Sequence, residues 1–200
     1  NIRNGLNIGP GGLLSNGAGA FSIFATTSLA STTALSASIT DSDSSSIVDI
    51  FNITHMASSS ASAGIGAGIL FSNEGVLGDA TSTARIASVF TSLASGSATS
   101  SALTFYTKNS PVGLTEGMRL DHLGRLGIAT TTPNYLLTVA SSTAPQLSLS
   151  AGAGVAQWAF RNAGGNLYFA TTTVAGDATT SISALEIAGN GFGTTTIRGL

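Results

Sequence analysis

Apolar side chains in this chain come in short runs, set at alternate positions or in pairs, and Gly, Ser, Thr, Asn and Asp cut the runs apart. Alternation with a period of two predicts short, half-buried strands joined by tight turns. Residues 1–40 carry such runs at Leu6-Asn-Ile8, Leu13-Leu14 and Phe21-Ser-Ile-Phe24, between glycine-rich turns. Ser28 to Ser46 is polar and reads as a strand or connector ending in an acidic loop, Asp41-Ser-Asp-Ser-Ser-Ser46. Strands are then expected over Ile47–Thr54, Gly64–Phe71, Ser101–Thr107 and Met118–Asp121, and in a second series over Leu136–Ala140, Gln146–Leu149, Gln157–Arg161, Leu167–Ala170 and Leu185–Ala188. Ala84 to Leu93 fits two periods. As a strand it puts Ile86, Ser88, Phe90 and Ser92 on one face and Arg85, Ala87, Val89, Thr91 and Leu93 on the other. As a helix it aligns Ile86, Val89, Phe90 and Leu93. Periodicity alone does not decide; β-branched and aromatic content and the turn residues that follow favour the strand.

A local pattern recurs four times: Phe24-Ala-Thr-Thr-Ser28, Ile128-Ala-Thr-Thr-Thr132, Phe169-Ala-Thr-Thr-Thr173 and Phe192-Gly-Thr-Thr-Thr196. The last copy continues into Ile197-Arg-Gly-Leu200, close to Ile2-Arg-Asn-Gly-Leu6, so about one unit of a longer tandem array is expected. A unit that stacks on copies of itself is a building element first. The organisation expected is a connector with short strands over residues 1–46, a first β module over 47–133 and a second over 134–200 that leads into a following repeat.

Charge sharpens this picture. Only 8% of the residues are charged, against about 25% in an ordinary soluble domain, so Ser, Thr, Asn and Gly must make up most of the surface. The formal net charge is -2 and the seven basic residues are scattered, which argues against nucleic acid, where counterion release needs several cations along one face. Cysteine is absent, so no disulfide framework or thiolate metal site can form. The most apolar stretch, Ala63 to Phe71, holds three glycines and falls far short of the roughly 20 residues of a spanning helix, so no membrane insertion is expected.

The segment Glu116-Gly-Met-Arg-Leu-Asp-His-Leu-Gly-Arg-Leu-Gly-Ile-Ala-Thr-Thr-Thr-Pro133, followed by Tyr135-Leu-Leu-Thr-Val139, resembles a motif of phage tail fibres and related bacterial surface fibres. In that family a strand of the type E-R-M-R-I-D leads through a glycine turn to G-I-G-T-T-x-P and a further strand. Gly64–Phe71, Ala84–Val89 and Leu103–Tyr106 resemble its upstream module, and Pro145–Leu149 with Gln157–Phe169 a second module; the likeness spans about residues 47–196. Gly117 stands where the family has Arg, and Ala129 where it has a second Gly. Since only Gly adopts left-handed backbone freely, Ala129 argues against such a conformation there. The resemblance implies an elongated, usually homotrimeric shaft on the cell surface or virion, and it implies no catalytic residues.

Candidate chemistry is thin. His55 and His122 have no metal-ligand spacing to the acidic residues. Asp41-Ser-Asp43 with Asp49 lacks the glycine and closing Glu of a calcium loop. No Gly-x-Ser-x-Gly elbow occurs, and Gly64-Ile-Gly-Ala-Gly68 lacks dinucleotide spacing. Asn52-Ile-Thr54 is a formal sequon that reads as a strand edge. Trp158, Phe160, Tyr168 and Phe169 could platform a glycan, but packing between sheets or subunits explains their alternation more simply.

The expectation is an all-β, elongated repeat fibre of short strands, solenoid-like or built of small stacked β-sandwich modules and intertwined in an oligomer. It is extracellular, non-enzymatic and free of cofactors and metals. Its partner is itself, as a homotrimer or filament, with a cell-surface glycan as a receptor for the assembly. The residues expected at the core or subunit interface are Leu126, Ile128, Leu136, Leu137, Val139, Trp158, Phe160, Phe169 and Phe192. A surface filament subunit whose chains polymerise end to end, an adhesin that binds glycans and a tail spike that cleaves them are the rival readings.

Overall fold

The computed structural model describes residues 45, 47, 49, 51–76, 79–93, 99–176, 178–180, 183–189 and 196–197. The chain divides into two units, Asn1–Asn52 and Ile53–Leu200, and all the described strands lie in the second. The readings made for Leu6–Phe24, for Asp41-Ser-Asp43 and for Phe192 lie outside the described residues.

Every regular element among the described residues is a strand. β1 (Gly66–Glu74), β2 (Ala80–Leu93), β3 (Thr99–Asn109), β4 (Gly113–Leu120), β5 (Leu126–Ile128) and β6 (Leu137–Val139) make a six-stranded sheet in sequence order. β7 (Leu147–Leu149), β8 (Trp158–Ala163), β9 (Asn166–Thr171), β10 (Leu185–Ala188) and β11 (Thr196–Ile197) make a second sheet, also in sequence order. Pairing is antiparallel throughout except between β5 and β6, which run parallel. The all-β expectation holds, and Ala84–Leu93 is strand, not helix. The first sheet reaches past Pro133 to Val139.

Turn chemistry explains the connections. Gly164 and Gly165 both have positive φ (59° and 84°) between the paired ends Ala163 and Asn166, the backbone that a two-residue hairpin loop requires. Between β4 and β5, Asp121 ties the loop: its Oδ1 accepts the Leu123 and Arg125 amides, each at 2.9 Å, and its Oδ2 accepts Arg125 Nε at 2.8 Å. The parallel β5–β6 step needs a connection that crosses the sheet. Residues 129–136 supply it, passing so close to Gly127 that a Cβ there would lie 2.8 Å from the Thr130 carbonyl oxygen.

Three expectations need correction. Ile47–Thr54 was expected to be a strand, yet its described residues carry no strand and are all exposed; β propensity reports fitness for a pleated, half-buried surface, and within one chain this stretch has none. The register shift between Phe90 and Ser92 pairs Ser92 with Ser100 and Leu93 with Thr99. Leu93 therefore joins the face of Phe90 and Ser92 leaves it, because one extra residue reverses the alternation. Ala129, finally, does adopt left-handed backbone, with φ 56°. Hydrogen bonds on both sides hold it there: its amide donates to the Gly117 carbonyl at 2.9 Å, and the Ala140 amide donates to the Ile128 carbonyl at 3.0 Å.

Among the described residues, neither sheet buries a large apolar side chain. The buried apolar residues are Ala102, Ala159 and Ala170, and the largest fully buried side chains are Thr104 and Pro133.

Candidate self-association faces

Register turns the alternating pattern into continuous apolar rows. Across all six strands of the first sheet, Ile69, Ile86, Phe105, Met118, Ile128 and Val139 stand opposite one another in turn. A parallel row two residues away joins Leu103, Leu120, Leu126 and Leu137. Cross-strand partners share a face, so both rows, with Phe71 and Phe90, form one apolar front. In the second sheet, Leu147, Phe160, Phe169 and Leu185 form the corresponding row, flanked by Leu149 and Trp158 on one side and Leu167 and Ile187 on the other. The Phe160 and Phe169 rings meet edge to face with centroids 4.5 Å apart.

These fronts face solvent in the single chain. Ile69 is 48% exposed, Leu137 60% and Trp158 48%. A soluble chain normally covers such area, because exposed contiguous apolar patches beyond a few hundred Å² mark interaction sites. Val139 from the first front and Phe160 and Leu167 from the second line a common open groove of about 920 Å³.

The backs carry most of the polar bonding, although Leu70 on the back of the first sheet is 54% exposed. Behind the first front, Thr104 is wholly buried and donates from Oγ1 to the Ala87 carbonyl at 2.9 Å. Arg119 forks onto Glu116, with Nη2 to Oε2 at 2.8 Å, and sends Nη1 to the Thr131 carbonyl at 3.0 Å, clamping the crossing loop to the sheet. The bond to Glu116 holds the Arg119 guanidinium above the usual arginine range. In the adjoining loop the bonds from Arg125 hold the Asp121 carboxyl down at about 2. Behind the second front, Ala159 and Ala170 are buried beside Thr179, Thr180 and Ser183, with the Thr180 amide donating to the Thr171 carbonyl at 2.8 Å. Asn166 Nδ2 donates to Glu186 Oε1 at 2.9 Å.

The residues expected at an interface divide clearly. Ile128, Val139, Leu126 and Leu137 lie on the first front, and Trp158, Phe160 and Phe169 on the second. Leu136, one position from Leu137 and 76% exposed, alternates away from the front. Tyr168 pairs with Arg161 and Glu186 on the back of the second sheet, away from the other aromatics. Ile69, Ile86, Leu103, Phe105, Met118, Leu120, Leu147 and Leu185 were missed as site residues. Ile69-x-Phe71, Leu103-x-Phe105 and Met118-x-Leu120 carry the same alternation as Leu126-x-Ile128, and that was the signal available.

Nothing among the described residues gathers three or more His, Asp or Glu side chains into a metal site. His55 is exposed, with Nδ1 3.0 Å from the Gly66 carbonyl oxygen. His122 lies in the loop that Asp121 ties. No family model and no curated protein matches the chain.

Proposed function

We propose that this chain is a structural segment of an extracellular fibre, self-associating through the apolar fronts of its two sheets to form a shaft that displays a distal adhesive part. The observation that carries the reading is the unbroken apolar row across each sheet, partly exposed in a single copy. Fully burying an Ile, Leu or Phe side chain is worth about 1.5–3 kcal/mol, so each half-exposed residue of these rows stands to gain roughly 1 kcal/mol on being covered. Another copy of the same front is a fitting cover, since it is apolar, has the same strand spacing and is always present at matching concentration. The homotrimer rests on the resemblance to fibre proteins, which are usually homotrimeric. The role is mechanical and not enzymatic.

Sedimentation equilibrium at micromolar concentration tests the proposal directly. A trimer, or a concentration-dependent larger species, is expected; a stable monomer with intact β circular dichroism ends the reading.

A further inference from the structure

One row of residue types occurs on both sheets. Arg85, Tyr106 and Glu116 stand opposite one another across β2, β3 and β4, and Arg161, Tyr168 and Glu186 do so across β8, β9 and β10. Both rows alternate with the apolar fronts and so lie on the backs. In each row the arginine and the glutamate are two strand spacings apart, roughly 10 Å. Each glutamate is also engaged elsewhere: Glu116 holds Arg119 through both carboxylate oxygens, and Glu186 receives Asn166 Nδ2 at 2.9 Å. Arg119 and Arg125 each hold a carboxylate, whereas the guanidinium groups of Arg85 and Arg161 make no ion pair or hydrogen bond among the described residues. In a chain with so few charges, two cations thus stand without a carboxylate at equivalent places.

Small residues beside each row leave a cleft against the arginine and the tyrosine. Arg85 and Tyr106 line one of about 140 Å³ with Gly66, Gly68 and Ala87. There the guanidinium lies over the ring, 4.0 Å from its centroid. Arg161 and Tyr168 line one of about 320 Å³ with Ala159, Ala163 and Ala170. Only the second reaches the roughly 300–1,000 Å³ of small-molecule sites. It also carries hydroxyls: Thr179 and Ser183 line it, and Tyr168 Oη accepts Asn166 Nδ2 at 3.2 Å, which leaves its own proton to donate.

We propose that the Arg161–Tyr168 cleft binds a carboxylate-bearing sugar, with the Arg161 guanidinium on the carboxylate and the hydroxyls of Tyr168, Thr179 and Ser183 on the ring. A guanidinium presents paired N–H donors that match a carboxylate, and that match is the charged part of the recognition. Neutral hydroxyl groups around it suit a polyol better than an acidic peptide. The site does not depend on self-association, because it lies on the face opposite the front.

Saturation-transfer NMR with glucuronate, glucose and a triglutamate peptide tests it, with circular dichroism to check that each variant keeps its strands. Glucuronate should bind with a dissociation constant on the order of millimolar, and glucose and the peptide at least about tenfold more weakly. Arg161→Gln should weaken glucuronate binding about tenfold or more. Tyr168→Phe, which keeps the ring and removes only the hydroxyl, should weaken it about threefold or more. Arg85→Gln should leave it unchanged, since the smaller cleft does not admit a sugar ring. Glucuronate binding that is absent, or that survives both Arg161→Gln and Tyr168→Phe, overturns the proposal. Glucose binding as tightly as glucuronate would show that the carboxylate is not read. Peptide binding as tightly would assign the cleft to an acidic protein partner, and either result also overturns the proposal.

Discussion

The two sheets share a front and differ in how their backs are built. Behind the first, polar side chains bond to the neighbouring strand, to one another and to a crossing loop: Thr104 to the Ala87 carbonyl, and Arg119 to the Glu116 carboxylate and the Thr131 carbonyl. Behind the second, the small residues Ala159 and Ala170 are buried beside Thr179, Thr180 and Ser183. Two unrelated ways of finishing the back, each paired with a row of Ile, Leu and Phe on the front, imply that the front is the shared requirement and the back a local solution. The Thr-rich repeat makes the same point at smaller scale. In Ile128-Ala-Thr-Thr-Thr132 the apolar residue ends a strand and Ala129 turns left-handed, whereas in Phe169-Ala-Thr-Thr-Thr173 the strand runs on through Ala170 to Thr171. Both copies nevertheless put their apolar residue on the row.

The sharpest way to break the comparison is to charge both fronts. Ile128→Asp and Phe169→Asp each place a carboxylate in the row, and an unpaired charge buried at an interface costs several kcal/mol. Both should lower the melting temperature of the assembly by many degrees and reduce the oligomer seen in sedimentation, whereas His55→Ala and His122→Ala should leave assembly near that of the parent. Normal assembly of only one Asp variant would show that the two fronts do not share a role.

The backs should respond less, and differently. Thr104→Val keeps the shape but removes the hydroxyl that serves Ala87, at a cost of about 1 kcal/mol in chemical denaturation. The monomer should weaken while the oligomer retains its size. A change in oligomer size with unchanged unfolding would place Thr104 at an interface instead.

The repeat copies offer a test in which one substitution has two signs. Ala129 holds a left-handed φ that costs an alanine roughly 1 kcal/mol, so Ala129→Gly should stabilise by up to about that amount. Ala170 lies buried within a strand, so Ala170→Gly should destabilise by about 0.5–1 kcal/mol or more through backbone entropy and lost packing. Thermal or denaturant unfolding of the two variants decides it, and shifts of the same sign would mean that the two copies share a conformation after all.

How much of this was legible in the sequence follows from what alternation can encode. A period of two reveals which residues share a face within one strand, so Leu126 with Ile128 and Leu137 with Val139 could be read in advance, as could the all-β class. It cannot reveal register, and register is what joins Ile69 to Val139 across six strands. It also fails at bulges: the shift after Phe90 moved Leu93 to the other face, a change set by pairing with Thr99 and Ser100 and not by composition near Leu93. Ala129 misled for a different reason. Intrinsic preference argued against a left-handed alanine, and the hydrogen bonds from Ala129 to Gly117 and from Ala140 to Ile128 outweigh it. The Gly117 bond in turn depends on the bulge between Phe105 and Tyr106, which leaves Gly117 without an opposite residue.

The smallest expected effect concerns the loop between β4 and β5, a feature of the first sheet alone. Asp121 accepts two backbone amides and the Arg125 guanidinium, and its carboxyl titrates near about 2, below its ordinary value of 3.8. The folded form thus binds this proton more weakly than the unfolded form. By linkage, the contribution of Asp121 is complete well above pH 4, fades as the pH falls through 3.8 and is gone once it passes below about 2. Carbon-detected NMR of the side-chain carboxyl should give a midpoint near 2, and Arg125→Gln, by removing the largest cause of the shift, should move it upward. Asp121→Asn should flatten the acid limb of the stability curve in that window without altering the oligomer at neutral pH. A midpoint at the ordinary carboxylate value would show that the loop opens in solution. The tie between β4 and β5 would then have to come from the pairing of Met118 to Leu120 with Leu126 to Ile128 alone.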